Sequence, residues 1–276
     1  MKIIFSPAKK MRTDCDDLPV RSTPVFIDRA EEVQTWLRTL SYPEARKLWA
    51  ASDAIAGPAY EQLQAADLRR RCVPALLSYD GIAYQYLAPD VLEESELDYL
   101  QDHLLILSGL YGALRPFDGV VPYRLEMNQK ARVAGTRNLY EYWGDALYRM
   151  AMGERVDGHA IAYGRVANLD GAADADFASH VVVNLASKEY SRAVERYLQP
   201  GDRFVTCTFA VKTGDRFVQK GVYCKMGRGE MVRYMAAHAV EDPAELVGAD
   251  LPGWRYSEEH SSENEFVFLR ASGNRE

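Results

Sequence analysis

Four short apolar runs in this chain each end in a cluster of small polar or charged residues, and this pattern constrains the fold most strongly. The runs are Ile3–Phe5, Leu76–Leu77, Leu105–Leu107 and Val182–Leu185. Largely continuous apolar runs are typical of strands that are buried on both faces of a parallel sheet. Because the carboxyl ends of neighbouring parallel strands meet at one edge, we expect the residues after these runs to face one crevice.

Helical segments lie between and after these runs, which predicts a protein of the α/β class. Apolar side chains recur at helical spacing over Leu139–Met152 and Glu230–Val240. Two further apolar segments, Phe204–Val211 and Arg216–Tyr223, flank a short turn and are expected to pair as an antiparallel hairpin. The sheet is therefore expected to be mixed and to be flanked by helices.

The composition is that of a globular protein, with 47% hydrophobic and 26% charged residues in 276. No linker rich in Gly, Ser or Pro divides the chain, so we expect one compact domain over residues 1–276. Residues 153–176 are punctuated by Gly, Ala and Asp, which predicts a surface insertion.

The net charge of −7 argues against a protein that coats nucleic acid with its whole surface. The charge is uneven, however. Residues 203–233 contain seven basic and two acidic side chains, whereas residues 241–276 contain nine acidic and three basic ones. This distribution is compatible with a basic concavity on an acidic protein, and equally with solvated faces on which charges alternate.

We expect a cytoplasmic protein without a membrane partner. No apolar run approaches the roughly 20 residues that span a bilayer, and Met1–Phe5 is typical of a strand and not of a signal peptide. The four cysteines are scattered, which favours inert thiols in a reducing compartment and leaves a redox-sensing thiol open. They are Cys15, Cys72, Cys207 and Cys224.

The edge at which the four runs end is predicted to bind an anion, because it would collect hydroxyl groups, cations and helix N-termini. Ser and Gly also end many strands for structural reasons alone, so this interpretation has a purely structural alternative. The residues expected at the edge are Ser6, Lys9, Asp80, Ser108, Arg115, Asn184 and Lys188.

The segment Ser108–Met127 is the part of this predicted edge that is rich in Gly, Pro and paired charges. Gly109 and Gly112 permit tight turns or the close approach of a ligand. Arg124 and Glu126 alternate along the segment and are expected to lie on one face. They form either a clamp for a phosphate or carboxylate, or an ion pair with a structural role.

The sequence contains no P-loop, nucleophile elbow, zinc-protease motif or dinucleotide fingerprint, and we predict no cofactor. The five histidines are dispersed without the spacing of metal ligands, so no metal site is predicted. Direct iron binding stays open only through acids that folding brings together. Asp80, Tyr84 and Glu126 are candidates for acid and base roles solely because of their expected position.

The segment from Leu48 to Leu63 allows two interpretations. A helix over Leu48–Ala56, a turn at Gly57 and a second helix that begins at Pro58 are similar to a helix-hairpin-helix element. Such an element binds DNA phosphates through backbone amides. The other interpretation is an ordinary pair of packed helices.

Several short motifs, taken in order from residue 2 to about residue 270, resemble the YaaA family of bacterial peroxide-stress proteins. The motifs are Ser6–Lys9, Ser108–Gly112, Leu114–Pro116, Asp118, Pro122–Met127, Tyr140 with Trp143–Asp145, Asn184–Ser187 and Glu189–Tyr190. The resemblance implies a cytosolic protein induced under hydrogen peroxide that keeps free iron low and so limits oxidative DNA damage. It also implies a single-domain α/β fold peculiar to the family, with a basic cleft and a helix-hairpin-helix element that binds double-stranded DNA.

Carried onto this chain, the resemblance places the hairpin at Ser52–Gly57 and assigns the cleft cations. The predicted set for binding DNA or another anion comprises Ser6, Lys9, Lys10, Gly57, Ser108, Arg115, Arg124, Lys188, Lys225 and Arg228.

Two functions follow as hypotheses. The first is a stress protein that binds double-stranded DNA without catalysis, which predicts an open groove. The alternative is an enzyme that acts on a nucleotide, modified base or other small anionic metabolite in the same crevice. It predicts a pocket around Ser6, Asp80 and Ser108.

Overall fold

The computed structural model describes residues 1–15, 18–156, 159–160, 181–214 and 216–270, and these residues form an α/β fold. The strands are β1 Lys2–Phe5, β2 Lys10–Met11, β3 Val73–Pro74, β4 Tyr79–Asp80, β5 Leu104–Ser108, β6 Gly112–Leu114, β7 Gly119–Val120, β8 Arg155–Val156, β9 His159–Ala160, β10 Val181–Leu185, β11 Arg203–Thr213, β12 Arg216–Val218, β13 Arg255–Tyr256 and β14 Glu265–Arg270. The helices are α1 Ile27–Arg38, α2 Tyr42–Trp49, α3 Asp53–Ala65, α4 Ala75–Ser78, α5 Ile82–Leu87, α6 Glu94–His103, α7 Leu139–Trp143, α8 Ala146–Ala151, α9 Lys188–Glu195 and α10 Gly221–Ala237.

The central sheet is mixed, as predicted. Its strands follow the order β13-β14-β11-β10-β1-β5-β6, and β12 pairs with β11 beside this path. The neighbours from β5 to β14 are parallel, whereas β6, β12 and β13 pair antiparallel with their neighbours. In this register Phe5 lies between Ile106 and Leu185, so the carboxyl ends of β5, β1 and β10 coincide.

Three of the four apolar runs are confirmed as parallel strands, and the prediction for Leu76–Leu77 is wrong. These two residues belong to the short helix α4, which is completely buried and follows Pro74. The run was too short to distinguish a buried helix from a strand by its pattern. Asp80 still reaches the predicted edge, because β4 pairs with β2 and places Asp80 opposite Lys10.

The other predicted elements hold with changed boundaries. The hairpin of β11 and β12 is confirmed, although β12 ends at Val218 and α10 begins at Gly221. Helix α10 therefore starts nine residues before the predicted Glu230 and includes Lys225. The helix predicted over Leu139–Met152 is interrupted at Gly144, which has a φ of 56° and separates α7 from α8.

The predicted helix boundaries around Gly57 are wrong. The chain turns between α2 and α3 at residues 50–52, where Ala50 adopts a left-handed conformation with a φ of 46°. Gly57 and Pro58 lie inside α3. The two helices pack through a small cluster of their own, around Trp49 and Ala56. Packing between the helices thus overrides the local signals for a break at Gly and Pro.

A single hydrophobic cluster extends through the sheet and nearly all the helices, and the described residues form one compact domain. Residues 157–158 and 161–176 of the predicted insertion lie outside the described residues. Within the described ranges, no helix has both the length and the apolar character required to cross a membrane.

Helix α10 packs against α5 and β11 at separations that only glycine allows. A Cβ atom on Gly229 would lie 2.1 Å from the carbonyl oxygen of Ala83 in α5. A Cβ atom on Gly227 would lie 2.2 Å from the ring of Phe209 in β11. Arg228 lies between these two contacts on the surface of the helix, so both glycines determine where its side chain is held.

The tight contact of α10 predicts opposite effects for two Gly→Ala substitutions in helices. Gly229→Ala should lower the free energy of unfolding by at least about 2 kcal/mol, because the new methyl group overlaps backbone that has to move. Gly57→Ala should raise it by about 0.5–1 kcal/mol, since an added Cβ meets nothing within 4 Å there. Urea unfolding of the two variants measures both changes, and equal effects would contradict the described packing.

Candidate functional site

A cavity of about 520 Å³ opens at the carboxyl ends of β1 and β10. We refer to this cavity as the crevice. Its walls come from residues 5–10, residues 80–84, residues 123–126, residues 185, 187, 189 and 190, and one face of α10. The sequence predicts a site at this edge, and the volume falls within the range of roughly 300–1,000 Å³ found for small-molecule sites.

Ser6 joins β1 to α9 at the base of the crevice. Its Oγ accepts a hydrogen bond from the backbone N–H of Ser187 at 2.8 Å. The hydroxyl of Tyr84 donates to the carbonyl oxygen of Ser6 at 3.0 Å, and burial raises the pKa of Tyr84 well above its ordinary value. Tyr84 therefore holds the loop after β1, and its phenol is poorly placed to give up a proton as an acid.

Two arginines form the cationic wall of the crevice. Arg124 and Arg228 both line it, and each has a buried Nε that lacks a hydrogen-bond partner among the described residues. Neither side chain forms an ion pair within the described ranges of the chain. Burial lowers the pKa of Arg228, which reflects the unfavourable desolvation of its charge. A buried charge without a partner costs free energy, so this wall is suited to an anion from outside.

The lining also carries acidic side chains that pair with two of the predicted cations. Lys9 Nζ lies 2.8 Å from the carboxylate of Glu126. Lys10 forms an ion pair with Asp80, and its hydrogen bond lowers the pKa of that carboxyl group. All four side chains line the crevice, but the charges of Lys9 and Lys10 are already compensated.

Glu189 lines the crevice, although the sequence did not single it out as a candidate site residue. Its carboxylate accepts a hydrogen bond from the backbone N–H of Asn128 at 3.2 Å. Burial raises its pKa, and the nearby charge of Glu126 acts in the same direction. An acid in the first turn of a helix is usually explained by the helix dipole, so only its place in the motif Glu189–Tyr190 marked it. A carboxyl group with a raised pKa beside a second carboxylate is suited to acid and base roles or to recognising N–H donors.

Ser108 lies beneath the crevice and not in its lining. It is completely buried and shares a hydrogen bond of 2.7 Å with the hydroxyl of Tyr123, which in turn lies 2.9 Å from the hydroxyl of Tyr79. Burial raises the pKa of Tyr123 to about 12. Ser108 thus positions Tyr123, whose ring is part of the crevice wall.

Gly109 explains how the segment that carries Arg124 and Glu126 reaches the crevice. A Cβ atom on Gly109 would lie 2.7 Å from the carbonyl oxygen of Leu125. The segment therefore passes directly against the chain that leaves β5. The close approach that the sequence predicts at Gly109 is thus made by the backbone of Leu125.

Four other predicted residues are not brought to the crevice. Arg115 pairs with Asp118 at 3.1 Å, and Lys188 forms an ion pair with Glu195. Asn184 is buried and bonds the backbone N–H of Ala186 through its Oδ1 at 2.9 Å. Gly57 lies within α3.

The described residues contain no group of three His, Cys, Asp or Glu side chains that could hold a metal ion. None of the four cysteines, all of which lie within the described ranges, forms a disulfide bond. Burial raises the pKa of Cys72, Cys207 and Cys224, which disfavours the reactive thiolate form. These positions favour the interpretation of the thiols as inert.

The fold and the crevice define an α/β protein with a polar cavity at the carboxyl edge of its parallel strands. A family model described as peroxide stress protein YaaA matches residues 1–260. The chain belongs to this family, which confirms the resemblance seen in its motifs.

Related proteins match over almost the whole chain and carry the name UPF0246 protein. One from Agathobacter rectalis is 43% identical over 270 residues, which cover 98% of this chain and 99% of the relative. One from Desulfitobacterium hafniense is 45% identical over 271 residues, covering 98% of each chain. One from Lactiplantibacillus plantarum is 40% identical over 269 residues, covering 98% of this chain and 99% of the relative.

The contact between Arg115 and Asp118 predicts a structural role for both side chains. Asp118 is fully buried and also accepts a hydrogen bond from Ser22 Oγ at 2.6 Å. Asp118→Ala should lower the free energy of unfolding by about 3–5 kcal/mol, because it leaves Arg115 without its partner. Asp98→Ala is the matched control: its pair with Arg21 is exposed, and the loss should be below about 1 kcal/mol. Equal losses in urea unfolding would contradict this assignment.

Proposed function

We propose that this member of the peroxide-stress family binds a small phosphate-bearing molecule in the crevice, with Arg124 and Arg228 as its anion receptor. The observation that carries the proposal is that both arginines line one cavity with a buried, unpartnered Nε. A guanidinium group offers several N–H donors in one plane and suits the oxygens of a phosphate. This corresponds to the small-anion alternative from the sequence.

The balance of charge in the crevice favours a phosphate over a monocarboxylate. Lys9 and Lys10 are compensated by Glu126 and Asp80. Three further cations of the lining, Arg124, Lys225 and Arg228, form no ion pair with any described residue, against the single acid Glu189. A phosphate monoester carries about −1.5 to −2 at neutral pH and so matches this excess.

Substitution of either arginine should weaken the ligand's affinity. Arg124→Gln and Arg228→Gln each remove hydrogen bonds to a charged group, worth about 1.5–3 kcal/mol, and should raise the Kd of a bound nucleoside 5′-phosphate about 10- to 100-fold. Isothermal titration calorimetry with nucleoside 5′-phosphates, pyrophosphate and inorganic phosphate measures the effect.

Arg137→Gln is the control for these variants, because Arg137 pairs with Glu141 on an exposed surface outside the crevice lining. It should leave the Kd unchanged. The proposal fails if none of these compounds binds the unmodified protein at millimolar concentration, or if both crevice variants bind as tightly as it does.

A second candidate function, the binding of double-stranded DNA, is favoured by a different surface from the one that the sequence indicated. The hairpin of β11 and β12 and the residues before α10 expose Lys212, Arg216 and Lys220. None of these forms an ion pair with a described residue. We propose that duplex phosphates, if the protein binds DNA, lie along this hairpin.

Salt dependence tests the DNA candidate. The triple variant Lys212→Gln, Arg216→Gln, Lys220→Gln should weaken binding of a labelled duplex and reduce the slope of log K against log salt concentration by about 0.9 for each lost phosphate contact. Fluorescence anisotropy between 50 and 200 mM salt provides the measurement. Gly57→Ala and Lys188→Gln are controls and should bind as the unmodified protein does. Absence of binding at 50 mM salt would reject DNA as a partner and leave the small-ligand proposal untouched.

Iron limitation stays a prediction that rests on the resemblance. The crevice provides a way to limit free iron that requires no iron site in the protein, namely the binding of an anionic metabolite under peroxide stress. Binding of phosphate-bearing compounds by the purified protein would support this way of limiting iron.

A further inference from the structure

We infer that the phosphate-bearing ligand is a guanine nucleotide, whose base is recognised by Lys9, Glu126 and Glu189, which line the same crevice as the arginines. This inference rests on the proposed function and adds the identity of the base. It starts from the two kinds of charged group in the crevice. One part of the lining presents two arginines without partners, and another part, which we call the acidic wall, presents two carboxylates with a lysine beside Glu126.

The acidic wall is an acceptor surface with one donor. Glu126 and Glu189 both line the crevice, and the Glu189 carboxylate accepts a hydrogen bond of 3.2 Å from the backbone N–H of Asn128, two residues after Glu126. Lys9 Nζ lies 2.8 Å from the Glu126 carboxylate, and its charge also acts on Glu189. The Lys9 side chain is 65% exposed, so its ammonium group keeps donors free for a ligand.

A ligand that fits both walls needs an anionic end and, at its other end, N–H donors next to an acceptor. A nucleoside phosphate supplies the anion to Arg124 and Arg228. Among the common bases, only guanine presents two adjacent donors, N1–H and the 2-amino group, with an acceptor, O6, beside them. A carboxylate accepts both N–H groups, and an ammonium group donates to O6.

The other bases fit this wall less well for the same reason. Adenine and cytosine each offer one amino donor next to a ring-nitrogen acceptor, which would face a carboxylate oxygen with a lone pair. Uracil offers one N–H between two carbonyl oxygens. Hypoxanthine keeps N1–H and O6 but lacks the 2-amino group, so it is an intermediate case.

The remaining wall provides apolar surface for a planar ring. Tyr123 and Tyr190 line the crevice. Tyr123 is held from below by Ser108 and Tyr79, which fixes its ring in place. The crevice thus combines an anion receptor, an acceptor surface and an aromatic side, which are the features of a nucleotide site.

A ligand panel tests the inference on the full-length protein. Isothermal titration calorimetry with GMP, IMP, AMP, CMP, UMP and inorganic phosphate should give the tightest binding for GMP, an intermediate Kd for IMP and a Kd at least tenfold weaker for AMP. The variant Glu189→Gln should reduce the preference for GMP over AMP to less than threefold, and it should bind inorganic phosphate at least as tightly as the unmodified protein, because it removes a negative charge from the crevice. Glu195→Gln, on the same helix but outside the crevice lining, should keep the preference.

The outcomes of these titrations distinguish guanine recognition from the proposed binding of phosphate by Arg124 and Arg228. Equal affinity for GMP and AMP, lost in Arg124→Gln, would overturn guanine recognition and retain the phosphate site. Preferential binding of AMP would also overturn guanine recognition and retain the phosphate site. Absence of binding by every compound would overturn both. The order of affinities for the unmodified protein decides the matter even if Glu189→Gln does not fold.

Discussion

The contact of α10 with α5 and β11 is the constraint on which the candidate site depends. Two glycines that flank one arginine let the helix approach both neighbours more closely than any side chain would allow. Each glycine costs about 1 kcal/mol of helix propensity relative to Ala. The close packing offsets this cost and holds Arg228 at the crevice. The main role of the segment Gly227–Gly229 is therefore to position the charge of Arg228. Its place in a basic stretch of the sequence is secondary.

The charges of the crevice fall into two groups with different roles. Lys9 and Lys10 are paired with acids of the crevice lining and hold the loop after β1 against its neighbours. Arg124 and Arg228 form no ion pair with a described residue and are the proposed receptor for an external anion. Counting cations in the sequence does not distinguish these groups, because the acids that neutralise the lysines lie more than 60 residues away in the chain. The hairpin of β11 and β12 also exposes cations, and the family resemblance did not assign these to the predicted cleft.

The sequence predicted the parts of the fold that periodicity specifies. The runs at Ile3, Leu105 and Val182 are strands because continuous apolar residues are stable only where both faces of a sheet are covered. The start of α10 and the course of α3 escaped prediction, because Gly and Pro signal local breaks that tertiary packing overrode. Most of the site residues that were predicted from the sequence do line the crevice, since the strand order brings their loops together. Arg115 and Lys188 did not reach it, because nearby acids in the chain, Asp118 and Glu195, pair with them first.

The position of β1 in the middle of the sheet has a consequence for how the protein is made. β1 pairs with β5 about 100 residues later, and with β10, where Lys2 lies beside Val182, 180 residues later. At a synthesis rate of roughly 5–20 residues per second, the second partner emerges about 10–35 s after the first strand. Throughout that interval an apolar strand has an unpaired edge on the nascent chain, which is a template for aggregation. This interior strand of the folded sheet thus depends on protection during synthesis.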